Sequence, residues 1–289
     1  MATTKGIMGL ARFNGRTIRV TSLTLKAVQD ISPSGTVDGI YDHTAYVLGP
    51  IKIEGDISFP VPATDDTFNE VMRVAVLRDD TTGTLLTRNI RVDAKYDFAI
   101  GYAYTDCQVD RLSVNVASEA AIEFTMSLRG VERINGTASK DYVAPARILA
   151  WNDVAITGSP AITSEQVRNF TFEVANNTST FYGLDGRILT NPVNIVAGKR
   201  DVTGTIEIAW NGGGLEDYAY LVNQQVCRET TDFIDFDLSN CSGTSGGLTF
   251  LGIIFDMEDI SMTNDFFMGS QNWRAYGDDG NGYRAIIVK

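Results

Sequence analysis

Phe170-Thr171-Phe172-Glu173-Val174, answered after a long excursion by Gly198-Lys199-Arg200-Asp201-Val202-Thr203-Gly204-Thr205-Ile206-Glu207-Ile208, is the stretch on which the reading of this chain turns. Both segments alternate apolar and polar side chains, the period-two pattern of strands that bury one face. Between them Ala175-Asn176-Asn177 leads into an excursion of about 24 residues, longer than a compact domain leaves without a task. The excursion reads as an arm that touches a partner, and the two strands as its root in a sheet.

Working outward, the first half of the chain repeats this arrangement. Leu23-Thr24-Leu25-Lys26-Ala27-Val28 alternates, an arm runs from Gln29 to about Lys52, and Gly55-Asp56-Ile57-Ser58-Phe59 returns. Phe68, Val71, Met72, Ala75 and Val76 then fall on one helical face, with Thr64 as N-cap and Asp65 and Asp66 at the positive end of the helix dipole. The second half answers with Leu215, Tyr218, Ala219 and Val222 after Gly212-Gly213-Gly214, and Ile260-Ser261-Met262 answers Leu112-Ser113-Val114. One order of elements at nearly one spacing points to a duplication.

Further strands are expected at 87–96, 107–116 and 121–128, and at 231–238 and 248–257, with a poorly defined end near 273–288. The polar run Asn135-Gly136-Thr137-Ala138-Ser139-Lys140 marks a boundary, and Leu149-Ala150-Trp151-Asn152-Asp153 reads as a short hairpin opening the second domain. The fold expected is mainly β: two tandem β-sandwich or partly closed barrel domains, 1–138 and 139–289, each with one helix and a long arm loop.

Composition narrows the function. With 44% hydrophobic and 21% charged residues the chain is ordinary globular material, and a net charge of -12 argues against a grip on nucleic acid, which needs a basic surface. From composition alone that charge reads as ordinary solubility, though like charge would also suit a wall that DNA passes without being held. No apolar run of signal-peptide or membrane-span length occurs, so synthesis in a cytoplasm is expected, with Cys107, Cys227 and Cys241 reduced. The single histidine, His43, has no Gly-x-Ser-x-Gly elbow to serve, and it cannot build a zinc site with three scattered cysteines. Asp256, Glu258 and Asp259 lack the calcium-loop spacing, and Gly277-Asp278-Asp279-Gly280-Asn281-Gly282 lacks the Lys-Ser/Thr of a phosphate loop. The expectation is a protein that is not an enzyme and carries no cofactor or metal.

The strand, the Asn-Asn corner, the arm and the Gly-Lys-Arg-Asp-Val-Thr-Gly return together resemble the tail tube proteins of long-tailed bacteriophages, over roughly forty residues. The resemblance implies an arm lying between consecutive rings and a returning strand that enters a sheet running around a lumen. A chain with two such domains would close as a trimer of pseudo-six-fold symmetry. It would stack into a hollow conduit for DNA ejection within the virion, meeting tape measure, baseplate, terminator and, in a contractile tail, sheath proteins. Apolar side chains in the arms, Tyr41, Tyr46, Leu48, Phe181, Tyr182, Leu184 and Ile188, would then contact the next ring. The other placement is an arm folded back over its own domain. Glu54, Asp56, Glu123, Glu207 and Glu258 alternate with apolar neighbours and are the candidates to face the lumen, past which DNA moves without specific binding.

The Gly-Lys-Arg of the second half has Leu48-Gly49-Pro50-Ile51 as its counterpart in the first, so the signature is not duplicated, and a baseplate hub or tube-initiator ring is the alternative role. A reading of another class is a β-sandwich carbohydrate-binding module with Trp151, Trp210 and Trp273 as its platform.

Overall fold

The structure is a computed structural model that describes residues 8–13, 15–34, 45–63, 67–76, 90–95, 101–135, 147–158, 162, 166–183, 194–210, 232–238, 246–256, 261–263, 266–276 and 285–289. In chain order the elements are β1 (Met8–Phe13), β2 (Arg16–Val20), β3 (Ser22–Leu23), β4 (Lys26–Ser34), β5 (Ala45–Phe59) and helix α1 (Thr67–Val76). Then come β6 (Ile90–Lys95), β7 (Gly101–Ala117), β8 (Glu123–Gly130) and β9 (Glu132–Asn135). After a 3-10 turn at Trp151–Asp153 follow β10 (Val154–Gly158), β11 (Val167–Ala175), β12 (Ser179–Phe181), β13 (Asn194–Val196) and β14 (Asp201–Trp210). The chain ends with β15 (Phe233–Leu238), β16 (Gly247–Leu251), β17 (Ile253–Phe255), β18 (Ser261–Thr263), β19 (Phe266–Ala275) and β20 (Ile286–Val288). The mainly-β expectation holds, and the α1 face read from the sequence, Phe68, Val71, Met72, Ala75 and Val76, is buried. Positions 64–66 and 211–231, with the N-cap and the second helix expected there, lie outside the described residues.

A long antiparallel wall organises the molecule, in the order β4-β5-β8-β7-β11-β14-β19-β17, with β3 also on β5 and β18 also on β19. Its middle joint is a ladder between the halves, from Asn169 opposite Ala117 to Ala175 opposite Arg111. Alternation along the strands gives the wall one apolar face, including Ile57, Leu112, Phe124, Phe170, Phe172, Ile206 and Trp273, all buried.

A second layer covers that face. In the first half its strand order is β1-β6-β7-β9, and in the second it is β10-β15-β16-β20. The chain passes from layer to layer at matching places. β7 leaves β6 and β9 for β8 near Asp106 (φ 52°), while Gly252 (φ 63°) separates β16 in the second layer from β17 in the wall. A left-handed residue turns a strand sharply there, which Asp tolerates and Gly adopts freely.

The two halves share one core. Phe68 of α1 stacks on Phe236 of β15 at 5.8 Å and meets Phe124 of β8 edge-on at 6.2 Å, and Phe236 continues to Phe170 and Phe172 of β11. Each buried ring contributes about 2–3 kcal/mol, well above the surface ion pairs at about 0–1 kcal/mol. This packing, rather than charge, holds the layers.

Two expectations need correction. Leu149–Asp153 is not a hairpin of the second half but a strap laid on the first. The Leu149 N–H donates to the Val61 carbonyl and its carbonyl accepts from Ile122, while the Trp151 N–H donates to Ala120. Buried Asp153 then holds the Ala150 N–H at 3.0 Å and pairs with Arg147, which favours the tight turn over a hairpin. The tryptophan platform also fails: Trp273 is buried in the core against Phe170 and Phe250, whereas Trp151 is exposed.

Candidate assembly surfaces

The root of the second arm is a polar knot. Asn176 is fully buried, and its amide donates to the carbonyls of Ala75 (2.9 Å) and Val109 (3.0 Å). Arg200 donates to the Asn176 side-chain oxygen (3.4 Å) and to the Val76 carbonyl. Asn176 and Arg200 therefore close the C-terminal end of α1, where carbonyls lack helical partners and the dipole favours a cation. Asp110 of β7 takes both the N–H and the hydroxyl of Thr178 at 2.6 Å. Asn177 (φ 48°) donates to the Lys199 carbonyl and to Asp201, and Gly198 lies so close over it that a Cβ would come within 2.5 Å of its carbonyl oxygen.

The root of the first arm has the same geometry in other residues. Gly49 lies over Asp30, where a Cβ would meet the carbonyl oxygen at 3.1 Å, and Lys52 pairs with Asp30 at 2.6 Å where Asp201 meets Asn177. The bond to Asp30, and then its charge, hold the Lys52 ammonium above the usual lysine range. Gln29 donates to the Gly49 carbonyl at 3.0 Å. A Gly packed against the backbone carbonyl of an Asx residue is the shared feature, and the arginine of the Gly-Lys-Arg run is the part peculiar to the second half.

The arms themselves differ from open loops. The first is a continuation of the β4–β5 ladder out to Ser34 opposite Ala45, and the second carries the short β12–β13 pair. Of the residues expected at the next ring, Tyr46 lies in β5 opposite Pro33, Leu48 is exposed opposite Ile31, and Phe181 is exposed opposite Asn194. Tyr182 is half-buried and its hydroxyl donates to the Ile51 carbonyl at 3.2 Å, joining the two arms. Tyr41, Leu184 and Ile188 lie outside the described residues, as does Glu258.

Glu54, Asp56, Glu123 and Glu207 share the polar face of the wall, away from the core. The sequence reading did not find what surrounds them. Hydroxyls run across the face, with Ser127 donating to Asp56 (2.6 Å), Ser58 paired with Thr125 (3.0 Å) and Thr171 with Thr205 (2.6 Å). Bases are interleaved: Lys26 and Arg129 stand opposite Glu54, and Arg111 pairs with Glu173 at 3.3 Å. Cross-strand neighbours on one face would have revealed them, but only once the register was known.

At its two ends the wall is open. Among the described residues β4 pairs only with β5, and β17 and β18 only with β19.

Open edges, rooted arms and a polar face belong to a mainly-β protein, and that is the class this architecture defines. The family model described as phage tail tube protein matches residues 2–253, and the chain belongs to that family. Membership makes it a structural protein of a virion tail that assembles with itself and with other tail proteins. No curated protein matches the chain. Among the described residues no helix is long and apolar enough to cross a membrane.

Proposed function

We propose that this chain is the repeated subunit of the tube, that three copies close a ring of pseudo-six-fold symmetry, and that stacked rings form the conduit for the genome. The observation that carries this reading is the repeated strand order: β4-β5-β8-β7 in the first half, β11-β14-β19 with β17 and β18 in the second, joined by the β7–β11 ladder. One such joint lies inside the chain, and the free β4 and β17–β18 edges supply the two sides of another. A heterologous contact of this kind closes a ring when its rotation divides the circle. The halves correspond to tube domains 1–138 and 139–289.

In that ring the polar face turns to the lumen and the arms reach the neighbouring ring. DNA would meet hydroxyls and carboxylates interleaved with bases, of which Arg111 pairs with Glu173 and Arg129 with Asp110, so that carboxylate neighbours offset part of the positive charge that could hold a phosphate. Tape measure, terminator, baseplate and, in a contractile tail, sheath proteins would meet the ends and outside of the stack.

Negative-stain electron microscopy of the purified chain over a concentration series tests the reading. Hollow filaments whose end views carry three-fold modulation are expected. Single rings that never stack would replace the repeated subunit by a hub or initiator ring, and a chain that stays monomeric at every concentration would overturn the ring itself.

A further inference from the structure

The joint inside the chain and the two free ends of the wall occupy matching places, yet their chemistry differs. Beside the β7–β11 ladder the inner seam is polar and closed: Thr178, 3% exposed, is held by Asp110, and Gln108 of β7 is 4% exposed. On the β4 edge, Gln29-Asp30-Ile31 takes the place of Asn176-Asn177-Thr178, because Gly49 covers Asp30 as Gly198 covers Asn177. There Ile31 is 64% exposed, with Leu48 opposite it also exposed and Val28 nearby. On the β17 edge, Ile254 opposite Arg274 takes the place of Gln108 opposite Arg129, and it is 45% exposed, with Tyr276 in the open just past β19.

Aliphatic side chains thus stand in water at both ends of the wall, where the inner seam has buried amides and hydroxyls. Resting on the ring-subunit reading, we infer that copies join through an apolar seam in which Val28, Ile31 and Leu48 of one copy seat against Ile254 and Tyr276 of the next. The occupant is a second copy because the two patches lie on opposite ends of one continuous sheet, beside strand edges left unpaired among the described residues, so each end presents what the other lacks. The difference between seams also keeps the halves in order. An inner seam exchanged for an outer one would set Ile31 against the carboxylate of Asp110 and leave the partners of Thr178 unmet, a penalty against the wrong pairing.

Sedimentation velocity on the full chain, with circular dichroism melts as the control for folding, tests the seam. Ile31→Glu and Ile254→Glu are each expected to raise the concentration for half-assembly by about tenfold or more, since each buries a charge in an apolar contact. The double variant I31K/I254E, which sets opposite charges across every seam, is expected to assemble better than either single Glu variant. Raising salt from about 0.1 to about 1 M is expected to leave wild-type assembly unchanged or stronger. Should either Glu variant melt early, I31T and I254Q, which install the residues of the inner seam, carry the same comparison. Wild-type rings with variants that assemble equally well would overturn the apolar seam and leave the ring subunit standing; a wild type that forms no oligomer would overturn both.

Discussion

Asn176 shows how one side chain can fix the root of an arm. Its amide reaches two carbonyls, one on α1 and one on β7, and its oxygen accepts from Arg200. Replacing it by Ala would leave the Ala75 and Val109 carbonyls without those donors in a buried place. A loss of about 2–4 kcal/mol is expected, because an orphaned buried acceptor forfeits its solvation as well as its bond. Urea unfolding of Asn176→Ala measures it, and a loss under about 0.5 kcal/mol would mean that water or Arg200 takes over. The sequence marked Asn176-Asn177 as a corner but could not reveal this role. Turn chemistry is local, whereas the acceptor on α1 lies a hundred positions earlier in the chain and becomes a neighbour only through the β7–β11 joint.

Among elements, the wall strands β5, β7, β8, β11 and β14 were the most legible, because alternation survives wherever one face is buried, whereas β19 at Phe266–Ala275 went unread. β11 and β14 stand within three residues of where period two put them, and the five apolar positions of α1 are all buried. Elements without that signal were missed. β10 and the β1–β2 hairpin are short edges of the second layer, and the strap at Leu149–Asp153 is held by backbone bonds to the first half that no local pattern encodes. The polar face was half legible: its acids could be placed by alternation, but its arginines needed register.

β20 is a further short strand, fastened at its end by Lys289, which pairs with Asp237 (2.6 Å) and Asp235 (3.0 Å) of β15. Partial burial works against the Lys289 charge, and the bonds to the two carboxylates outweigh it, so its pKa is raised. The sign follows: a raised lysine adds stability that is fully present below its unfolded value of about 10.4 and is lost as pH climbs through the folded one. Melting temperature is therefore expected to hold to about pH 10 and then fall more steeply than in Lys289→Met. Parallel curves for the two proteins would show that the clamp contributes nothing.

On the scale of the whole molecule, repetition and independence part company. Strand order repeats, but Phe68 of the first half is stacked on Phe236 of the second, and one ladder runs across the middle. Neither half keeps its aromatic core if the other unfolds. Calorimetry on the monomeric chain at low concentration is expected to give a single cooperative transition, with calorimetric and van't Hoff enthalpies in agreement. Two resolved transitions would mean that each half folds on its own.

The passage of β7 through both layers has a mechanical consequence. Pulling across the strands of the wall loads its successive ladders in series, and such a wall fails at its weakest ladder. In β7 that load reaches a strand whose other end is knitted between β6 and β9 in the layer behind. Sliding it by one residue would turn its side chains over in both layers at once. Tension on the wall is thus referred through covalent backbone to the sheet beneath, and the strand at the joint of the two halves is the one least free to creep.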